Sequence, residues 1–329
     1  MSLLSFVIHL AVLIALLLAI FLVRAYLRRC PPGRDPAYRT PHRESPGNCA
    51  RIPPRVYRRP DPMIYSQSYL MAQGLAVTWD NPDIHLERNG APASSHDLLP
   101  DTDYEIVARV WNGSPFAPAV NLPVRFSYID FGIGGATIPI GEVRVDLPVN
   151  GAPGHPTFAR IPWRTPATPG HYCIRVTLVW ADDANPANNV GQENVDVKPL
   201  NSPRAVFRFP LRNDAPTRQA YRLTADTYTI PPQRPCGDEV PARTVRLTSQ
   251  ETDAKRAAAL ARHGVAAFAV PREWRIAIEP PELALEPGKA REITVEITAP
   301  DDFRGEQVFN IAAFTGATLA GGVTLHVRA

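Results

Sequence analysis

Asp182, Asp183, Asn185, Asn188 and Asn189 crowd side-chain oxygens into one short stretch, and calcium is the ion such a stretch would hold. Calcium takes about six to eight oxygens at roughly 2.3–2.6 Å. The spacing lacks the glycine and the distal glutamate of an EF-hand loop, and Asn/Asp/Pro clusters also build ordinary hairpin turns. Asp182, Asp183, Asn185 and Asn188 therefore stand as a calcium candidate set, with a plain turn as the competing reading. His171 and Cys173 lie two apart in a strand-like run, so they share a face opposite Tyr172 and Ile174. A zinc site needs about three or four ligands. A nucleophilic thiol needs an activating base and an oxyanion-stabilising site. The neighbouring runs supply neither, so packing is the expected role of this pair.

The chain has no GxSxG, no phosphate-cradling glycine loop and no HExxH. Gly132-Ile-Gly-Gly reads as a flexible turn. Asp80, Asp83 and Glu87 are close in sequence, but the 32 acids would form accidental pairs on any β protein. A glycosidase also needs its carboxylates at a set separation in a cleft. Trp79, Trp111, Trp163, Trp180 and Trp274 are expected in cores or at rims rather than on a sugar-stacking platform. Neither a catalytic residue nor a cofactor is expected.

The elements that must position these side chains are strands. Tyr104, Ile106, Ala108 and Val110 alternate with polar residues and so share one face. Leu122, Val124, Phe126 and Tyr128 repeat the pattern, as do Tyr172, Ile174, Val176, Leu178 and Trp180. About seven short strands at this spacing predict a β-sandwich over residues 70–200. A second set, from Phe207 through Ile293, Val295 and Ile297 to Val327, predicts another over 201–329. One short helix interrupts it. Thr248-Ser-Gln-Glu is a capping-box candidate, Lys255 to His263 is helix-forming, and Gly264 can stop it. The fold class expected is all-β: two tandem immunoglobulin-like β-sandwiches preceded by one transmembrane α-helix.

The stretch from Pro169-Gly-His-Tyr-Cys-Ile-Arg-Val to Val197, with Asp83, Val107 to Asn112 and Pro123 to Phe126, resembles the CARDB-type bacterial immunoglobulin-like domains over residues 80–198 or so. Gly170, Tyr172, Asp182, Asp183, Asn185, Asn188, Asn189, Glu193 and Asn194 carry the resemblance. The family has a comparable Gly-aromatic strand start and an Asp/Asn/Glu-rich hairpin before its last strand; Pro186 and Cys173 depart from that pattern. The C-terminal half is more loosely similar to other bacterial immunoglobulin-like modules through PPELALEPG and ITVEITAP. The resemblance implies an adhesion, spacer or binding role and brings no catalytic motif.

Leu3 to Val23 is apolar apart from Ser5 and His9. At ~1.5 Å per residue the run matches a hydrocarbon layer of about 30 Å. It is too long for a signal peptide and lacks a cationic start, so residues 1–29 are expected to remain as an anchor in the lipid bilayer. His9 is expected neutral near the interface. Arg24, Arg28 and Arg29 follow at the membrane surface and favour cytoplasmic domains, whereas the family resemblance favours the other side of a bacterial cell membrane. Residues 30–69 are rich in arginine and proline and are expected to be an extended linker.

The net charge of +3 over 329 residues argues against a nucleic-acid partner, which needs a concentrated cationic face. Cys30, Cys49, Cys173 and Cys236 form no CxxC pair and are expected as incidental thiols. These readings converge on a non-catalytic, membrane-anchored protein that binds or scaffolds a protein partner. A carbohydrate or cell-surface adhesion module is the alternative, and an unrecognised hydrolase the third reading.

Overall fold

Burial in alternate positions runs through most of the strands of the computed structural model, which describes residues 59–130, 132–197, 204–231 and 249–328. The predicted membrane span, residues 3–23, and Arg24, Arg28 and Arg29 lie outside the described residues. Among those described, no helix is long and apolar enough to cross a membrane. The protein is all-β, and its named strands all pair antiparallel.

The N-terminal sheet pair begins earlier than the sequence suggests. Strand β1 (Pro62–Met63), β2 (Ile84–Arg88), β3 (Ala91–Ala93), β4 (Asp103–Asn112) and β7 (Thr157–Arg164) form one sheet around β4. The facing sheet runs β6 (Thr137–Leu147), β5 (Ala119–Asp130), β8 (Gly170–Leu178) and β9 (Val190–Val197). Ile106, Ala108 and Val110 of β4 meet Val124 and Phe126 of β5 and Ile174 and Val176 of β8 in a single core.

The linker expected over 30–69 therefore needs correction at its end. Pro62 and Met63 pair with β4, and a short helix α1 (Gln67–Ala72) follows. Gln67 is buried, and its Nε2 donates to the carbonyls of Thr78 and Gln192 at 3.1 and 2.7 Å. Arginine and proline dominate the composition of this segment and mask Ile64, Ser66 and Gln67, which are buried.

The C-terminal pair has one sheet of β10 (Arg204–Arg212), β14 (Ala290–Thr298) and β12 (Arg275–Glu279). The other is β13 (Glu282–Leu285), β11 (Gln219–Asp226), β15 (Glu306–Thr315) and β16 (Thr318–Arg328). Phe209, Leu211, Ile293, Val295, Phe309, Ile311, Val323 and Leu325 fill the core between them. Helix α2 (Ser249–His263) starts six residues ahead of Lys255, where the helix-forming run was placed. Thr248, the proposed cap, lies outside the described residues. Gly264 donates its N–H to Leu260 O at 2.8 Å but with an extended backbone, φ −76° and ψ 157°, rather than a left-handed one. Glycine suits the position because a Cβ would sit 2.5 Å from Leu260 O.

Candidate functional site

In the oxygen-rich turn between β8 and β9, donors of the turn itself take the Asp183 carboxylate, whereas Asn188 Oδ1 and Asn189 Oδ1 are buried without a hydrogen bond among the described residues. Asp183 is buried; its Oδ1 accepts the Asn185 N–H at 2.8 Å and its Oδ2 accepts Asn189 Nδ2 at 2.7 Å. Burial pushes the Asp183 carboxyl up, and these donors offset part of that. Asn188 turns its amide to Asp61 Oδ1 at 3.2 Å, and exposed Asp182 lies 3.3 Å from Arg59. The backbone from Asn185 to Asn189 closes as a short 3-10 turn over Pro186–Asn188.

His171 and Cys173 do share the outer face of β8, but they do different things. The Cys173 thiol is buried, and burial, followed by the nearby charge of Glu193, pushes it up to about 12. A thiol held protonated in that way is a poor nucleophile. It borders a cavity of about 160 Å³ with Arg175, Gln192, Asp214 and Gly321. His171 Nδ1 bonds instead to Asp196, its cross-strand partner on β9. Of the tryptophans, Trp79, Trp163 and Trp274 are buried and Trp180 packs against the first core, so no two of them form an exposed platform.

Cys173 is covered because the C-terminal pair lies over the outside of the β5–β8–β9 sheet. Three features close this seam. The loop after β5 inserts Ile133 into the C-terminal core, with Ile133 N–H donating to Pro210 O at 3.0 Å and Arg212 N–H to Ile133 O at 2.9 Å. Gly132 and Gly134 have φ of +112° and +76°, and a Cβ on either would run into the β10 backbone. The turn read as flexible is thus a fitted plug. Next, Trp79 joins Val77, Ala312 and Leu319 in a small third core, its ring packed against Gly322. Finally, Trp79 N–H donates to Thr324 Oγ1 at 2.8 Å, and Thr324 donates on to Asn310 Oδ1 at 2.8 Å.

At the edge of this seam, acids and imidazoles alternate. Glu306 Oε1 lies 2.5 Å from His326 Nδ1, and His326 Nε2 lies 3.1 Å from Asp80 Oδ2. The other Asp80 oxygen is 3.1 Å from His96 Nε2, and His96 Nδ1 is 3.1 Å from Asp196 Oδ2. His171 ends the chain on Asp196 Oδ1. The His96 and His326 rings lie against each other in a tilted arrangement, centroids 3.8 Å apart and planes inclined by 37°.

The elements explain the convergence. Asp80 follows Trp79, which is fixed by the third core; His96 sits in the loop after β3; His326 and Glu306 share the outer face of the β15–β16 hairpin. Burial is the largest influence on Asp80 and opposes its ionisation, yet pairing with His326 and His96 outweighs it and holds the carboxyl below the usual range. Burial likewise opposes the charge on His96, but the Asp196 and Asp80 carboxylates push it up to about 10. Asp196 is held low against burial by His171 and His96. Next to them Glu193 is buried, and burial with the charge of Asp80 drives its carboxyl well above the usual range. It accepts the Asn81 N–H.

Sequence reasoning reached Asp80 only as one acid among many and did not single out His96, His326, Asp196 or Glu306. Asp80 and His326 are 246 residues apart, so no local spacing could have joined them.

No family model matches the chain, and no curated protein does. Solved structures align weakly. Native Escherichia coli alpha-2-macroglobulin is 11% identical, with 75% of this chain and 17% of that one covered and a TM-score of 0.23. Salmonella alpha-2-macroglobulin reacted with methylamine is 11% identical over 74% and 16%, at 0.21. The Yersinia pseudotuberculosis adhesin InvE is 8% identical over 71% and 56%, at 0.19. This chain spans about a sixth of the length of either macroglobulin. Scores this low carry no argument about fold or activity.

Proposed function

We propose that this chain is a non-catalytic, membrane-anchored binding or scaffolding protein. Its two sheet pairs would be tandem immunoglobulin-like domains, the first of CARDB type, and residues 3–23 would hold it in the bilayer, with Arg24, Arg28 and Arg29 at the headgroups. Locked at the seam, the pairs act as a single rigid arm, and the end of the first pair remote from the seam meets a protein partner.

The observation that carries this reading is the apolar character of that remote end. Phe116, Val120 and Phe158 are 44%, 61% and 49% exposed. Phe116 lies in the loop joining β4 and β5, Val120 at the start of β5 and Phe158 at the start of β7. Asp146 links the starts of β5 and β7: its carbonyl accepts from Thr157 Oγ1 at 2.9 Å and its carboxylate accepts the Asn121 N–H at 2.8 Å. Exposed apolar and aromatic side chains are what protein interfaces favour at their centres.

Photocrosslinking in native membranes tests the reading. A photoreactive residue at Phe116, Val120 or Phe158 should give a discrete protein adduct that the same residue at Glu286 does not. Adducts to polysaccharide alone would move the assignment to the adhesion class. Protein adducts from Glu286 but not from the remote end would remove the proposed surface.

A further inference from the structure

The alternating chain at the seam poses an electrostatic problem that has a specific chemical answer. Each of the His96 and His326 rings places Nδ1 against a carboxylate, Asp196 Oδ2 at 3.1 Å and Glu306 Oε1 at 2.5 Å. A neutral imidazole that donates Nδ1–H in this way carries its lone pair on Nε2. Both Nε2 atoms face the same Asp80 carboxylate, one per oxygen, at 3.1 Å each. Two lone pairs and an anion thus converge, and they repel unless positive charge stands between them.

Protons on the rings supply that charge in the metal-free chain, and full protonation would set two imidazolium rings 3.8 Å apart. One dication supplies it without that repulsion. The two Nε2–carboxylate distances of 3.1 Å are near the roughly 3.3 Å at which a zinc-class ion with bonds of about 2.0–2.1 Å holds its ligand atoms. One ligand atom from each of Asp80, His96 and His326 lies within 4.8 Å of the others. Asp80 Oδ1 is itself shielded from solvent and faces His96 Nε2 at 3.1 Å.

We propose that Asp80 with His96 Nε2 and His326 Nε2 bind a divalent transition-metal cation of the zinc class, which clasps the two sheet pairs together. Asp196 and Glu306 are positioning residues. They fix the tautomer and ring orientation of the two ligands, as outer-shell carboxylates commonly do for metal-bound histidine. Asp80 and His96 come from loops of the N-terminal pair and His326 from β16, so the ion would bridge the seam. Solvent completes the coordination, since the Asp80 side chain is 32% exposed. Each histidine enters as neutral imidazole, and any proton on Nε2 leaves to solvent as the metal binds. The inference does not rest on the partner-binding surface, and each can fail alone.

The test uses the full-length chain, stripped with a chelator and dialysed against zinc. Metal content should reach one ion per chain. His96→Asn and His326→Asn should weaken uptake by tenfold or more, and Asp196→Asn by about 10–100-fold. Circular dichroism of the metal-free variants separates lost ligands from lost folding. The wild-type chain supplies a measurement that needs no variant: zinc should slow amide hydrogen exchange in β16, from Thr324 to Arg328. Failure of the stripped wild-type chain to take up stoichiometric zinc would overturn the proposal. So would uptake that both histidine variants retain, or that leaves β16 exchange unchanged.

Discussion

Two regions of this molecule gather polar side chains, and they do it in opposite ways. The turn from Asp182 to Asn189 collects its oxygens within eight consecutive residues, and donors of the same turn take both oxygens of its buried carboxylate, while Asn188 Oδ1 and Asn189 Oδ1 stay buried without a hydrogen bond among the described residues. Asp183 accepts from Asn185 and Asn189, both inside the same turn. The seam draws Asp80, His96, Asp196, Glu306 and His326 from distant segments, and there the groups point inward at one another. Density of ligand-type residues along a chain therefore says little about binding. What matters is whether local donors exist to consume the acceptors. A turn has them, because its own N–H groups must be satisfied. A junction between two sheet outer faces has fewer backbone donors, since the strands already spend theirs on one another.

If the seam is a fitted interface and the turn a local fold, crowding the seam should cost most. Gly322→Val would drive a side chain into the Trp79 ring, which already rests on the glycine backbone. Trp79 is 1% exposed and has no room to swing away. Overpacking of this kind costs about 3 kcal/mol. Urea unfolding should show that loss, together with faster hydrogen exchange across Val77–Asp80. A Gly322→Val chain of unchanged stability would mean that the two pairs are not fitted as described.

The difference between the regions also sets what could be read from the sequence. Period two in Tyr104–Val110 and in Tyr172–Leu178 identified core strands because a pleat puts alternate residues on one face. The seam has no such period. Trp79, Ile133 and Gly322 are each buried by a partner in another segment, and nothing near them in the chain announces it. Gly132-Ile-Gly-Gly was legible as a turn, but its glycines serve close backbone approach to Pro210 and Arg212, which only the fold supplies. Residues 59–69 were misread for a related reason. Composition averages over the segment, whereas the burial of Ile64 and Gln67 depends on single positions.

The turn predicts smaller effects. Asp183→Ala removes the acceptor for two donors and should cost about 2 kcal/mol. Its pH dependence has a definite sign. Burial, offset in part by those donors, raises the folded carboxyl above the ordinary 3.8. The folded chain therefore holds the proton to higher pH than the unfolded one, and the contribution of Asp183 to wild-type stability falls as pH rises from 3.8 through the folded value. The gap in urea midpoint between wild type and Asp183→Ala should accordingly be wider at acid pH than at neutral pH. A gap that widened towards neutral pH would mean that the carboxylate, not the acid, is the form the turn stabilises.

Asp182, one residue earlier, should be nearly silent, and that silence separates the turn from an ion site. Its carboxylate is exposed, 3.3 Å from a half-exposed Arg59, and such pairs contribute up to about 0.5 kcal/mol, less as salt rises. Asp182→Ala should shift the urea midpoint by that much or less, and the shift should vanish in high salt. Calcium ligation would reverse both results, because losing a ligand carboxylate costs far more than losing a screened ion pair. A calcium-dependent midpoint that Asp182→Ala abolishes would make the turn the binding region, and the contrast drawn with the seam would collapse.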